Sequence, residues 1–216
     1  MISPDARHCI TPEDLTLVGR AFGRPLESIG NLDELLDDRD LGPFLMAASL
    51  PGPSSSLLFY VLVRHSLLDV GIEDATVADY FAALVRDFGV RSRSHQVDDV
   101  DDHTHHYLVD ILVDLAASRG DRAFKVSVHL GNYAVWLSGV FPERITARQI
   151  RRGGPDLSYY ESLSARGFGE ASGHRLAERR GLDGVLRTAA ERVHDIRVAL
   201  NRVSAQLDLR SSRLAA

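Results

Sequence analysis

Cysteine is almost absent. Cys9 is the only one in 216 residues, which excludes an internal disulfide and fits a reducing compartment, so a cytoplasmic location is expected. Lysine is equally scarce: Lys125 stands against 24 arginines, a bias that reads as genomic base composition rather than chemistry. Long apolar runs are missing too. The longest, Leu57 to Val63, falls far short of the roughly 20 residues a bilayer requires, and the stretch from Phe124 to Phe141 is broken by Lys125, His129 and Asn132. No membrane partner is expected, and Met1 to Asp14 holds no apolar run flanked by basic residues that would read as a targeting segment. Catalytic signatures are lacking as well. No Gly-x-Ser-x-Gly, Ser-His-Asp or Cys-His arrangement assembles from local signals, and Arg151-Arg152-Gly153-Gly154 lacks the spacing of a P-loop or dinucleotide loop. Strand patterns are nearly absent: Val126 and Val128 alternate only briefly, inside a longer helical stretch.

The residues that are present suit a folded helical protein. Hydrophobic residues make up 44% and charged ones 25%, enough for one sizeable core, and no composition break marks a second domain. Residues 1 to 142 carry 21 acidic and 11 basic side chains, a balance of −10, whereas residues 143 to 216 carry 9 and 14, a balance of +5. The expectation is a single all-α domain over 1–216, bundle-like, with eight or nine helices. Within it lie an N-terminal helical segment at 1–50, a polar connection at 90–104 and a long C-terminal helix at 183–207.

Local signals place the helices. Thr11 reads as an N-cap with Pro12 at the first helical position and Gly23 as the stop, and Asn31 with Glu34 repeats the capping logic. Pro43 and Pro51-Gly52-Pro53 punctuate the segment between Glu34 and Ser54. The run from Leu57 is apolar all round, predicting a buried central helix to Val70, and Val77, Tyr80, Phe81, Leu84, Val85 and Phe88 predict an amphipathic one ended by Gly89. Further helices are expected at 105–118 and 122–140, and from Ser158, where Gly167, Gly169 and Gly173 should weaken the end. The clearest pattern is Leu186, Ala189, Val193, Ile196, Leu200, Val203 and Leu207, a heptad seam after an Asp183 cap. It predicts one helix packed along another, within the chain or across a homodimer.

Three clusters carry chemistry-bearing side chains. Asp98, Asp99, Asp101, Asp102, His103, His105 and His106, continuing to Asp110 and Asp114, have metal-ligand chemistry. However, His103, His106, Asp110 and Asp114 lie opposite the stripe of Tyr107, Leu108, Ile111, Leu112 and Leu115 expected to face the core, so a solvated face is the reading and no metal site is assigned. Glu191 and His194 form a Glu-x-x-His, and His194-Asp195 a His-Asp pair, both placed outward by Val193 in the seam. The third is a stripe of Lys125, His129, Asn132, Tyr133 and Trp136 on a helix that is otherwise apolar. Buried polar groups there need partners or a pocket, and Arg64, His65 and Asp69 at the end of the other apolar helix are the expected companions.

Function emerges from these residues only as a ranking. The first reading is a soluble binding or assembly protein, self-associating through its C-terminal helix. A helical-bundle metal-dependent enzyme using His65, Asp69 or His129 between the two apolar helices is the rival. The third is an anion- or nucleic-acid-associated module using the C-terminal arginines. Nucleic acid is disfavoured because the chain carries −5 overall and its aromatics do not interleave with the arginines. No cofactor is implied by the residues.

Overall fold

The computed structural model describes residues 1–23, 31–47, 52–89, 97 and 107–214, with side chains described as far as Leu207. The fold is all-helical, 77% helix, with no strand among the described residues. Its contacts cluster into two compact units: residues 2–86 with those from Ala205 onward, and Met1 with residues 87–204. Twelve helices are described instead of eight or nine. The expected connection at 90–104 lies outside the described residues apart from Val97.

The first unit holds α1 (Pro12–Ala21), α2 (Leu32–Asp37), α3 (Leu41–Ala47), α4 (Ser55–Leu68) and most of α5 (Ala75–Gly89). Thr11 and Asp14 form a reciprocal capping box, and Gly23 takes the left-handed φ of +62° that stops the chain from continuing. Asp14 does more than cap. Buried at 3% exposure, its carboxylate also accepts from the Ser54 backbone N–H at 2.8 Å and the Ser54 hydroxyl at 2.6 Å, tying α1 to the start of α4. Ser54 in turn caps α4 by accepting from Leu57 N–H. α4 is the centre of this unit: Ser56 to Leu67 are all buried, and α2 and α3 both pack on it.

In the second unit α7 (Gly120–Val140) plays the same part, with α6 (Leu108–Ala117), α8 (Pro142–Arg152) and α9 (Leu157–Ser172) against it. α10 (Arg175–Arg179), α11 (Asp183–Glu191) and α12 (Val193–Leu214) complete it up to Ser204. The α7–α9 contact is the most extensive in the fold, and glycine makes it possible. A Cβ on Gly167 would stand 2.6 Å from the Ser127 carbonyl oxygen and 2.7 Å from Gly131 N, and one on Gly131 would strike the Phe168 ring at 2.7 Å. The backbones therefore touch, and the Ser164 hydroxyl donates to the Gly131 carbonyl at 3.0 Å across the crossing.

Several expectations need correction. Gly167 and Gly169 do not weaken α9, which runs through both, because Gly167 is needed for close approach rather than for a turn. Its cap is Asp156, which accepts from Tyr159 N–H, and not Ser158, whose hydroxyl donates to Asp156. Asp183 is the first residue of α11 rather than its cap. The 183–207 helix is two helices broken at Arg192 (φ −116°, ψ 27°). The break has a packing reason: Leu186 and Ala189 are buried on α11, which lies on α9, whereas Leu200 on α12 meets α7 at Gly139. Val193, beside the break, is only half-buried. Tyr107, expected in the core, is 63% exposed.

The crossing yields a sharp test. Gly167→Ala should cost about 2 kcal/mol or more, in the upper part of the usual overpacking range, because backbone atoms cannot step aside as a rotamer can. Gly169→Ala, whose Cβ would meet nothing nearer than Ala190 at 3.9 Å, should be neutral or stabilise by up to about 1 kcal/mol through helix propensity. Urea unfolding of both variants checks this, and equal effects would contradict the close-contact account.

Candidate functional site

The eight residues expected to enclose one pocket fall in different units. In the first unit Arg64 is buried, donating Nε and Nη2 to the two carboxylate oxygens of Asp37 at 2.7 and 2.8 Å and Nη1 to the Glu73 carbonyl at 2.5 Å. The pairing holds Asp37 below its ordinary pKa, while the Asp37 hydrogen bond raises that of Arg64. His65 meets the Leu36 carbonyl through Nε2 at 2.9 Å, which makes that nitrogen the protonated one. Asp69 is half-exposed and pairs with Arg39 at 2.8 Å, and Arg39 also donates to the His65 carbonyl. These three residues fasten the C-terminal end of α4 to α2, the segment after α2, and Glu73.

In the second unit the α7 stripe becomes an aromatic ladder. The His129 ring lies 6.0 Å from Tyr133 and 6.1 Å from Phe88, Trp136 lies 5.5 Å from Phe88 and 6.1 Å from Tyr133, and Phe141 closes on Trp136 at 5.0 Å. Edge-on and offset geometries of this kind add to area burial. His129 and Asn132 are buried, Trp136 is half-buried, and Lys125 is partly exposed at the ladder's beginning. Burial lifts the Tyr133 phenol above its usual pKa. At the far end Arg144 of α8 sits 4.6 Å over the Phe141 ring, a cation–π contact. Sequence spacing identifies the His129, Tyr133 and Trp136 rings of this ladder and misses Phe88 and Phe141, which stand outside the α7 period.

A groove of about 560 Å³ lies between α6, α7 and α9, lined by Leu112, Leu115, Ala123, Phe124, Arg119 and Arg166 among others. Its charges are already engaged. Arg166 pairs with Glu170 at 2.8 Å, Arg119 Nη1 donates to the Ala116 and Ser118 carbonyls, and His174 stacks on Phe124 while its Nδ1 accepts from Leu176 N–H.

Two exposed surfaces go beyond the expectations from sequence. The outer face of α6 presents Val109 at 60% and Val113 at 66% exposure, beside Asp110. α6 is apolar on both sides, a signal that a search for one apolar stripe passes over. Asp114, assigned to a solvated face, instead pairs with Arg122 of α7 at 2.7 Å, an ion pair one helix further on in sequence. The second surface is α8, where Arg144, Arg148, Arg151 and Arg152 are all exposed.

His103, His105, His106 and Asp98 to Asp102 lie outside the described residues. Among the described residues no group of three His, Cys, Asp or Glu could hold a metal ion. Glu191 is exposed, and His194 Nδ1 lies 3.0 Å from Glu161, which also binds Arg197. No protein-family model matches this chain, and no curated protein or solved structure matches it either.

His65 supplies a pH test. Burial depresses its pKa below 6.5, with Arg39 lowering it further and the Leu36 carbonyl, Asp37 and Asp69 opposing. Protonation therefore favours the unfolded chain, so stability is full above about pH 6.5 and falls as the pH drops from there toward the folded value. His65→Gln, which keeps a donor for Leu36, should lose less stability than the parent between pH 7.5 and 5.5 in chemical denaturation. Parallel losses in the two proteins would remove His65 from the account.

Proposed function

We propose that the protein is a helical binding and assembly protein that pairs with a second copy through the outer face of α6. The observation that carries this reading is the exposure of Val109 and Val113 on a helix whose other side is packed. A folded chain seldom leaves adjacent β-branched side chains in water along one helix face unless another surface covers them. The heptad seam does not offer the same opportunity: Leu186, Ala189, Ile196, Leu200 and Val203 are buried within the chain.

Helix symmetry favours a copy of the same chain as occupant. An antiparallel pairing about a twofold axis through Val113 sets each Val109 opposite the second copy's Ala117, which is also exposed, and Asp110 opposite its Ala116, so that no like charges meet, the self-complementary arrangement of an isologous interface. One ten-residue helix offers less than the roughly 800 Å² per partner of a standard interface, so the dimer is weak and concentration-dependent.

Sedimentation velocity over a wide concentration range tests this. The parent should shift toward a dimer as concentration rises, and Val113→Glu, which sets two carboxylates together at the axis, should stay monomeric with an unchanged melting temperature because Val113 is exposed. In a Cys9→Ser background, Val113→Cys should form a disulfide-linked dimer under mild oxidation. A parent that stays monomeric throughout, with no cross-link, overturns the reading.

A further inference from the structure

α8 carries a second surface, independent of the α6 pairing. Five arginines of the basic C-terminal third have acidic partners: Arg166 with Glu170, Arg175 with Asp121, Arg187 with Asp183, Arg192 with Asp195 and Arg197 with Glu161. Arg144, Arg148, Arg151 and Arg152 differ. All four are exposed within nine residues, and none is paired with a carboxylate among the described residues. Helix electrostatics accounts for only half of this. Arg151 and Arg152 occupy the last turn, where the dipole favours cations, but Arg144 lies in the first turn, where it does not.

Spacing gives the cluster direction. Arg144, Arg148 and Arg151 stand at i, i+4 and i+7, so they form one line along the helix at steps of about 6 and 4.5 Å. Arg144 is further held in place over Phe141. Ile150, 79% exposed, is the one large apolar side chain exposed on α8. It lies about 130° round the helix from that line and stands alone, since Ile145 is buried, so α8 lacks the broad apolar face that a membrane-surface helix inserts. A row of planar guanidinium groups that no carboxylate pairs with instead suits an anion whose charges repeat along a chain and accept bidentate hydrogen bonds.

We propose that α8 is a docking surface for a nucleic-acid phosphate backbone, with Arg144, Arg148 and Arg151 contacting successive phosphates and Arg152 beside them. The contact reads charge and spacing, so binding is independent of base sequence and strongly salt-dependent. The overall charge of −5 does not forbid it, because the acidic excess lies in residues 1 to 142.

Fluorescence anisotropy with a labelled 20-nucleotide oligothymidylate tests the proposal on the full chain. Three phosphate contacts to a single strand predict a log–log salt slope near −2, an affinity loss of about 20-fold between 50 and 200 mM salt. Arg144→Gln/Arg148→Gln/Arg151→Gln should lose at least tenfold in affinity at 50 mM salt and flatten that slope, while keeping the parent's circular dichroism. Arg166→Gln/Arg175→Gln/Arg187→Gln removes the same formal charge from paired positions and should lose less than threefold. Absence of binding at 50 mM salt, or equal losses in the two triple variants, overturns the assignment. So does tighter binding to phosphatidylserine vesicles that the α8 triple variant abolishes, or displacement of the oligonucleotide by polyglutamate at equal charge concentration.

Discussion

Backbone contact between α7 and α9 is the constraint on which the second unit depends. Gly131 and Gly167 leave no room for a Cβ on either helix, and Phe168 lies against the space a side chain at Gly131 would fill. Two helices that meet through glycine approach more closely than side-chain ridges normally allow, and everything docked on either is placed by that approach. α11 rests on α9, while α12 reaches α7 at Gly139, where a Cβ would lie 2.7 Å from that of Leu200. The break at Arg192 is a consequence, since one straight helix could not lay the same seam on both neighbours. α6 and α8 are attached at the sides of this arrangement and keep one face free.

Polar side chains on the central helix of each unit, α4 and α7, show two ways of meeting the same cost. On α4, Arg64 and His65 are satisfied one bond at a time, by a carboxylate and by backbone carbonyls. Removing one partner would leave the other buried and uncompensated, which makes such pairs rigid fastenings. On α7, His129, Tyr133 and Trp136 join Phe88 and Phe141 in a ladder whose cohesion is aromatic packing. The exposed faces of α6 and α8 are where the sequence puts side chains that the fold does not use, and they carry the proposed binding functions.

Local chemistry made much of the fold legible in the sequence. The Thr11 N-cap, the Gly23 stop, the all-round apolar α4 and the 3.6-residue stripe of α5 depend on neighbours a few residues away, and each element lies close to where those signals put it. The features that could not be read depend on partners distant in the chain. Gly167 looks like a helix weakener until Gly131 is opposite it, and the seam from Leu186 to Val203 looks continuous until it meets two different helices. Among the candidate site residues, the α7 stripe gathered as a ladder, yet Arg64 and Asp69 found their partners in Asp37 and Arg39, which no spacing rule connects to them. The α6 and α8 surfaces were not read from the sequence, because what marks them is the exposure of Val109, Val113 and four arginines once the residues around them are buried.

The most direct measurement of the central claim, that the glycine crossing is the organising contact while α6 and α8 are lateral, is native-state hydrogen exchange resolved by segment. Amides of α7 around Gly131 and of α9 around Gly167 should exchange only through global unfolding, with those of α6 and α8 opening locally at lower free energy. Fast local exchange at residues 127–135 and 160–168, or protection of α6 and α8 equal to theirs, would contradict the account.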